Sequence, residues 1–122
     1  MTKPFSIVDR LKSVSFALSG IAAMLRTQHN AWIHLAATLA VIVAGFVFAL
    51  SRMEWVMLVI AIVAVWTAEA LNTAFELLCD VASPEFHPRV KQAKDVAAAA
   101  VLISAVGAAA IGAIVFVPHL FP

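Results

Sequence analysis

Apolar and polar positions follow two regimes along this chain. From 5 to 27, Ile7, Val8, Leu11, Val14, Leu18, Ile21, Ala22 and Leu25 recur at steps of three and four, with Asp9, Arg10, Lys12, Ser13, Ser19 and Arg26 between them. That period predicts an amphipathic helix lying in a membrane interface rather than one crossing it. Three apolar runs follow, at about 31–50, 55–80 and 94–117, each reaching the roughly 20 residues that a bilayer core requires. SRME, 51–54, reads as a tight turn between the first two. VASPEFHPRVKQ, 81–92, reads as the only substantial loop, because Pro84 and Pro88 stop a helix from continuing. The expected fold is an all-α integral membrane protein in one domain, 1–122: a surface helix and three transmembrane helices.

Composition sharpens the class. The chain is 64% hydrophobic and 12% charged over 122 residues, against about 25% charged in an average soluble domain. A water-soluble fold of this size could not hide so much apolar surface. The net charge of +1 gives no bulk attraction to nucleic acid, which is not an expected partner. Cys79 is the single cysteine, so neither an intrachain disulfide nor a cysteine zinc motif is available. Asp9, Arg10 and Lys12 interrupt the first apolar-rich stretch, and no cleavable leader is read there.

Charge also orients the chain. Lys3, Arg10, Lys12, Arg26, Arg89, Lys91 and Lys94 fall on one side of a three-span topology, and Arg52 alone falls on the other. This asymmetry predicts a cytoplasmic N-terminus and a cytoplasmic 81–93 loop, with His119 and the C-terminus outside. The third run is rich in Ala and Gly, including Gly107 and Gly112. Small residues let helices approach closely, within one subunit or between subunits.

The candidate chemistry lies in EALNTAFELLCD, 69–80. On a helix, Glu69, Asn72, Thr73, Glu76 and Asp80 share one face. The rise from Glu69 to Asp80 is about 16 Å, so the stripe runs from the cytoplasmic interface into the bilayer. An acid within a membrane is expensive and points to function. No basic residue in the sequence lies at the depth of Glu69. Lys94 and Asp95 open the third run at the level of Glu76 and Asp80. Carboxylates, an amide and a lysine at one interface can hold magnesium and polyphosphate, as phosphoryl transfer requires. Neither a Walker loop nor a kinase-type glycine loop is present. An interfacial salt-bridge cluster of these acids with Lys94 and Arg89 is the structural alternative.

The pattern ExxNTAxExxxD, followed by a loop and AKDxxAAAV, resembles the prokaryotic diacylglycerol kinase family, which includes undecaprenol kinases. The resemblance covers nearly the whole chain. The NAWIH stretch, Asn30 to His34, is more similar to the undecaprenol-kinase branch. The resemblance implies a homotrimeric inner-membrane enzyme with active sites shared between subunits, moving the γ-phosphate of magnesium ATP to the hydroxyl of a lipid alcohol. It implies Glu69 as general base and Glu76 as metal ligand. Asn72, Asp80, Lys94 and Asp95 would complete the nucleotide site, Glu85 and His87 would touch nucleotide, and Lys12 would lie near the phosphates. Gln28 stands where the family usually has a glutamate that binds a second metal ion, and Phe16 where some relatives carry tyrosine.

Two other classes are weighed. A small multidrug transporter also uses an intramembrane glutamate, but needs four spans and leaves Lys94, Asp95 and the charged loop unexplained. A membrane scaffold would bind no magnesium ATP. His34 reads as an interhelical hydrogen-bonding residue, Trp32 and Trp55 as interfacial anchors, Trp66 as packing, and His119 as a solvated tail residue.

Overall fold

A computed structural model describes residues 2–122 as four helices: α1, Ile7–Thr27; α2, His29–Val47; α3, Arg52–Ala82; α4, Pro88–Leu120. The last three are long and apolar enough to cross a membrane. α1 starts on Ser6, whose hydroxyl accepts the Asp9 amide at 3.3 Å, capping one of the amides that a helix start leaves free. Its first two turns are exposed, and its buried contact is Met24, near the C-terminal end.

A single extended residue, Gln28, separates α1 from α2. The corner is pinned by the Trp32 indole, which donates to the Leu25 carbonyl at 2.8 Å. Trp32 thus joins two helices, a role beyond interfacial anchoring.

The outer turn is displaced from the expected 51–54. It occupies Phe48 to Leu50, and Ala49 takes φ 51°, a left-handed conformation that costs a residue with a Cβ about 1–2 kcal/mol. Ser51 and Glu54 form a capping box instead, with Ser51 N–H donating to Glu54 Oε2 at 2.7 Å. The S-x-x-E spacing carries that start signal, so SRME belongs to α3. Trp55 lies against Gly45 so closely that a Cβ there would sit 2.5 Å from its ring. His119 is no free tail residue: its Nε2 lies 3.0 Å from Glu54 Oε1, joining the end of α4 to the start of α3. Leu50, Leu58 and Val115 form the buried cluster at this end, with Phe48, Trp55 and Phe116 against it.

The inner connection is shorter than the expected 81–92. Pro88 is the first residue of α4 rather than a helix stop. Proline suits that position, where its missing N–H is unneeded and its φ is already helical. α3 has 31 residues and α4 has 33, about 46 and 50 Å at the rise of an α-helix. Both exceed a hydrocarbon core of roughly 30 Å. The surplus turns extend the α3–α4 hairpin beyond the apolar body, and Asp80, Lys91, Lys94 and Asp95 stand on them.

α3 is the central helix and packs chiefly on α4. Its buried positions, Leu58, Ala61, Val65, Glu69, Asn72 and Thr73, recur at helical spacing. One inward face therefore runs from an apolar plug at the N-terminal end of α3 to polar residues toward its C-terminal end. α2 and α4 leave most of their apolar side chains exposed, as helices bathed in lipid or covered by other subunits do. Gly107 and Gly112 have nothing within 4 Å of where a Cβ would stand, so neither is required for a close approach inside this chain.

Candidate active site

Glu69 is 1% exposed. It lies on the inward face of α3, beside a chamber of about 280 Å³. Asn30, Ile33 and His34 of α2 line this chamber, as do Asn72 of α3 and Ala98, Val101, Leu102 and Ala105 of α4. Among the described residues, neither carboxylate oxygen of Glu69 has a well-aligned hydrogen-bond partner, and the Asn72 side-chain oxygen also lacks one. Buried polar groups are nearly always satisfied. Orphans clustered on one chamber are suited to a polar ligand group that supplies the missing donors.

The Thr73 hydroxyl does not supply one, because it donates to the Glu69 backbone carbonyl at 2.9 Å. The side chain nearest Glu69 comes from another helix: His34 Nε2 is 3.3 Å from Oε2. This corrects the expectation that nothing basic reaches the depth of Glu69. Spacing along α3 reports only that helix, whereas His34 arrives from α2 through tertiary packing. Trp66 also does more than pack. Its indole donates to the Thr38 hydroxyl at 3.0 Å, and that hydroxyl donates to the His34 carbonyl at 2.7 Å.

Exposure rises along the stripe. Asn72 and Thr73 are buried, Glu76 is half-buried and Asp80 is exposed, so the polar face opens from the chamber toward the inner end of the hairpin. Lys94 Nζ lies 3.5 Å from Asp80 Oδ1, which places these two at one level, as spacing predicted. Asp95 turns along its own helix to Lys91, at 2.7 Å. Among the described residues, no side-chain hydrogen bond or ion pair engages Glu76, and no three His, Cys, Asp or Glu side chains converge into a metal cage.

The remaining expected site residues are placed without being drawn to Glu69. His87 caps α4, its Nδ1 accepting the Arg89 amide at 3.2 Å. Glu85 is exposed, and its backbone carbonyl accepts from the Ser83 hydroxyl at 3.1 Å. Lys12 lies on the exposed part of α1. Gln28 sits half-buried at the α1–α2 corner, where its backbone bonds both helices and its side chain makes no hydrogen bond among those described.

A second cavity of about 260 Å³ adjoins the chamber, sharing His34 and Ala105 with it. Its lining is almost wholly apolar, with Ala37, Ala61, Ala108 and Gly112 among it. The pair of cavities offers a polar head next to an apolar slot.

The chain is similar to known proteins over most of its length. The family described as "Prokaryotic diacylglycerol kinase" matches residues 15–116. A protein of Bacillus subtilis named undecaprenol kinase is 40% identical over 109 residues, covering 89% of each chain. A protein of Synechocystis named diacylglycerol kinase is 34% identical over 111 residues, covering 90% of this chain and 63% of that one.

Proposed function

The chain belongs to the prokaryotic diacylglycerol kinase family of lipid kinases, and from that premise we propose that it transfers the γ-phosphate of magnesium ATP to the hydroxyl of a membrane polyprenol such as undecaprenol. The observation that carries this reading is Glu69, a buried carboxylate with neither oxygen hydrogen-bonded among the described residues, beside a chamber that adjoins an apolar slot. Such a group can take the proton of a lipid hydroxyl, provided the hydroxyl comes within hydrogen-bond reach. As the lipid oxygen bonds the γ-phosphorus, the bond from phosphorus to the bridging oxygen breaks, and its electrons leave with ADP. The hydroxyl proton passes to Glu69.

The nucleotide belongs at the inner end of the stripe. Lys94 and Lys12 would offset phosphate charge, Asn72 and Asp80 would orient the nucleotide, and Asp95, Glu85 and His87 would border it. Magnesium takes one or two carboxylates together with phosphate oxygens rather than an all-protein cage. Half-buried Glu76, free of a protein partner among the described residues, fits that donor set, and Gln28 offers a neutral second oxygen. The bound ion would supply Lewis-acid neutralisation of phosphate charge.

Undecaprenol is preferred to diacylglycerol as acceptor because the relative matched over most of both chains carries that name. We further propose a homotrimer in a bacterial inner membrane. In it α1 lies in the interface, and the N-terminus and the α3–α4 connection face the cytoplasm, as the Lys and Arg distribution supports. The transporter reading is not favoured, because three helices, not four, are long and apolar enough to span among the described residues.

A panel of lipid alcohols with radiolabelled ATP in mixed micelles tests the acceptor. Label is expected in undecaprenyl phosphate at a higher kcat/KM than in phosphatidic acid. Preferential labelling of diacylglycerol would reverse the acceptor assignment, and label in no lipid would end the kinase reading.

A further inference from the structure

Glu69 is 1% exposed, and among the described residues no lysine or arginine is paired with it. A buried carboxylate without donors is strongly disfavoured. His34 is the one titratable side chain besides Glu69 that lines the chamber. The facing residues of α4 are all apolar, no residue of α1 lines it, and Asn30 and Asn72 are neutral amides.

We propose that His34 is a positioning residue for phosphoryl transfer: its Nε2–H holds Glu69 Oε2, which orients the carboxylate and leaves Oε1 to receive the lipid hydroxyl proton. This inference rests on Glu69 being the base. The distance is 3.3 Å. The two groups are in reach but not aligned as a hydrogen bond, so a small turn of the ring completes the contact when the chamber fills.

The surroundings hold the two helices together beside the ring. Thr38 bonds the His34 carbonyl, and Trp66 bonds Thr38, tying α2 to α3 one turn from the pair. The Trp66 ring meets the imidazole edge-on at 6.4 Å. His34 itself is 15% exposed, so it is held by packing while bordering the chamber.

The test uses the purified full chain in mixed micelles with undecaprenol, comparing His34→Ala, which has no donor, with His34→Gln, whose amide donates but does not titrate. Glu69→Gln is run alongside. His34→Ala is expected to lower kcat about 10- to 100-fold, the cost of misplacing a reacting group, with the KM for magnesium ATP unchanged. His34→Gln should recover most of kcat. Wild-type kcat in His34→Ala, or equal losses in both His34 variants, would overturn the role. Near-normal turnover in Glu69→Gln would instead overturn the base assignment, and this role with it.

Discussion

The polar residues of α3 divide by depth, and depth assigns their work. Glu76 and Lys94 are half-buried between the buried and the exposed parts of the polar stripe, and Lys94 lies 3.5 Å from Asp80. Alanine at either position should weaken magnesium–ATP binding by about 10- to 100-fold, the worth of a charge-assisted contact. Titration of nucleotide into the purified variants checks this, and unchanged affinity in both would move the phosphates elsewhere. Gln28 is separate, because a neutral amide holds magnesium less firmly than a carboxylate. Gln28→Glu should lower the magnesium concentration giving half-maximal rate, read in a magnesium titration of turnover. An unmoved midpoint would leave Gln28 as a corner residue. At this scale the stripe was legible, because 69, 72, 73, 76 and 80 lie on one helix whose period is fixed. The approach of His34 to Glu69, and of His119 to Glu54, was not. Each joins residues on different helices, and helix spacing carries no information about which neighbour arrives at which height.

Each apolar run became a helix, but the helices outlast the apolarity. Hydropathy falls after 80, whereas α3 continues to Ala82 and α4 already begins at Pro88. The cause is physical: Lys91, Gln92, Ala93 and Lys94 are good helix formers, and helices need not stop where the bilayer does. The α2–α3 corner depends on one close approach, with the Trp55 ring packed on Gly45 and 4.9 Å from Phe46. Gly45→Ala would drive a methyl group into that ring. It should cost about 1–3 kcal/mol, the usual penalty of overpacking, visible as a lower midpoint of thermal or detergent-induced unfolding. A midpoint equal to wild type would show that Trp55 can swing clear. The Ser51–Glu54 capping box was present in the letters as S-x-x-E, but reading SRME as a turn hid it.

A single chain covers little of itself. α2 and α4 present apolar faces along most of their lengths, and the glycines of α4 are unused within the chain. Most of that surface suits lipid, but the end of the stripe at Asp80 is polar and open. In the proposed homotrimer a neighbouring subunit would complete that end. Mass measurement of the detergent-solubilised protein, with detergent subtracted, should therefore give three chains per particle, and a monomer with full activity would contradict shared sites. The central claim is that a buried carboxylate in the membrane takes the proton of a lipid alcohol during phosphoryl transfer. It is tested most directly by following label from γ-phosphate-labelled ATP into undecaprenol with wild type and Glu69→Gln, while measuring nucleotide binding on the same samples. The account predicts intact magnesium–ATP affinity in Glu69→Gln together with turnover reduced about 100-fold or more. Turnover near wild type in that variant would contradict it.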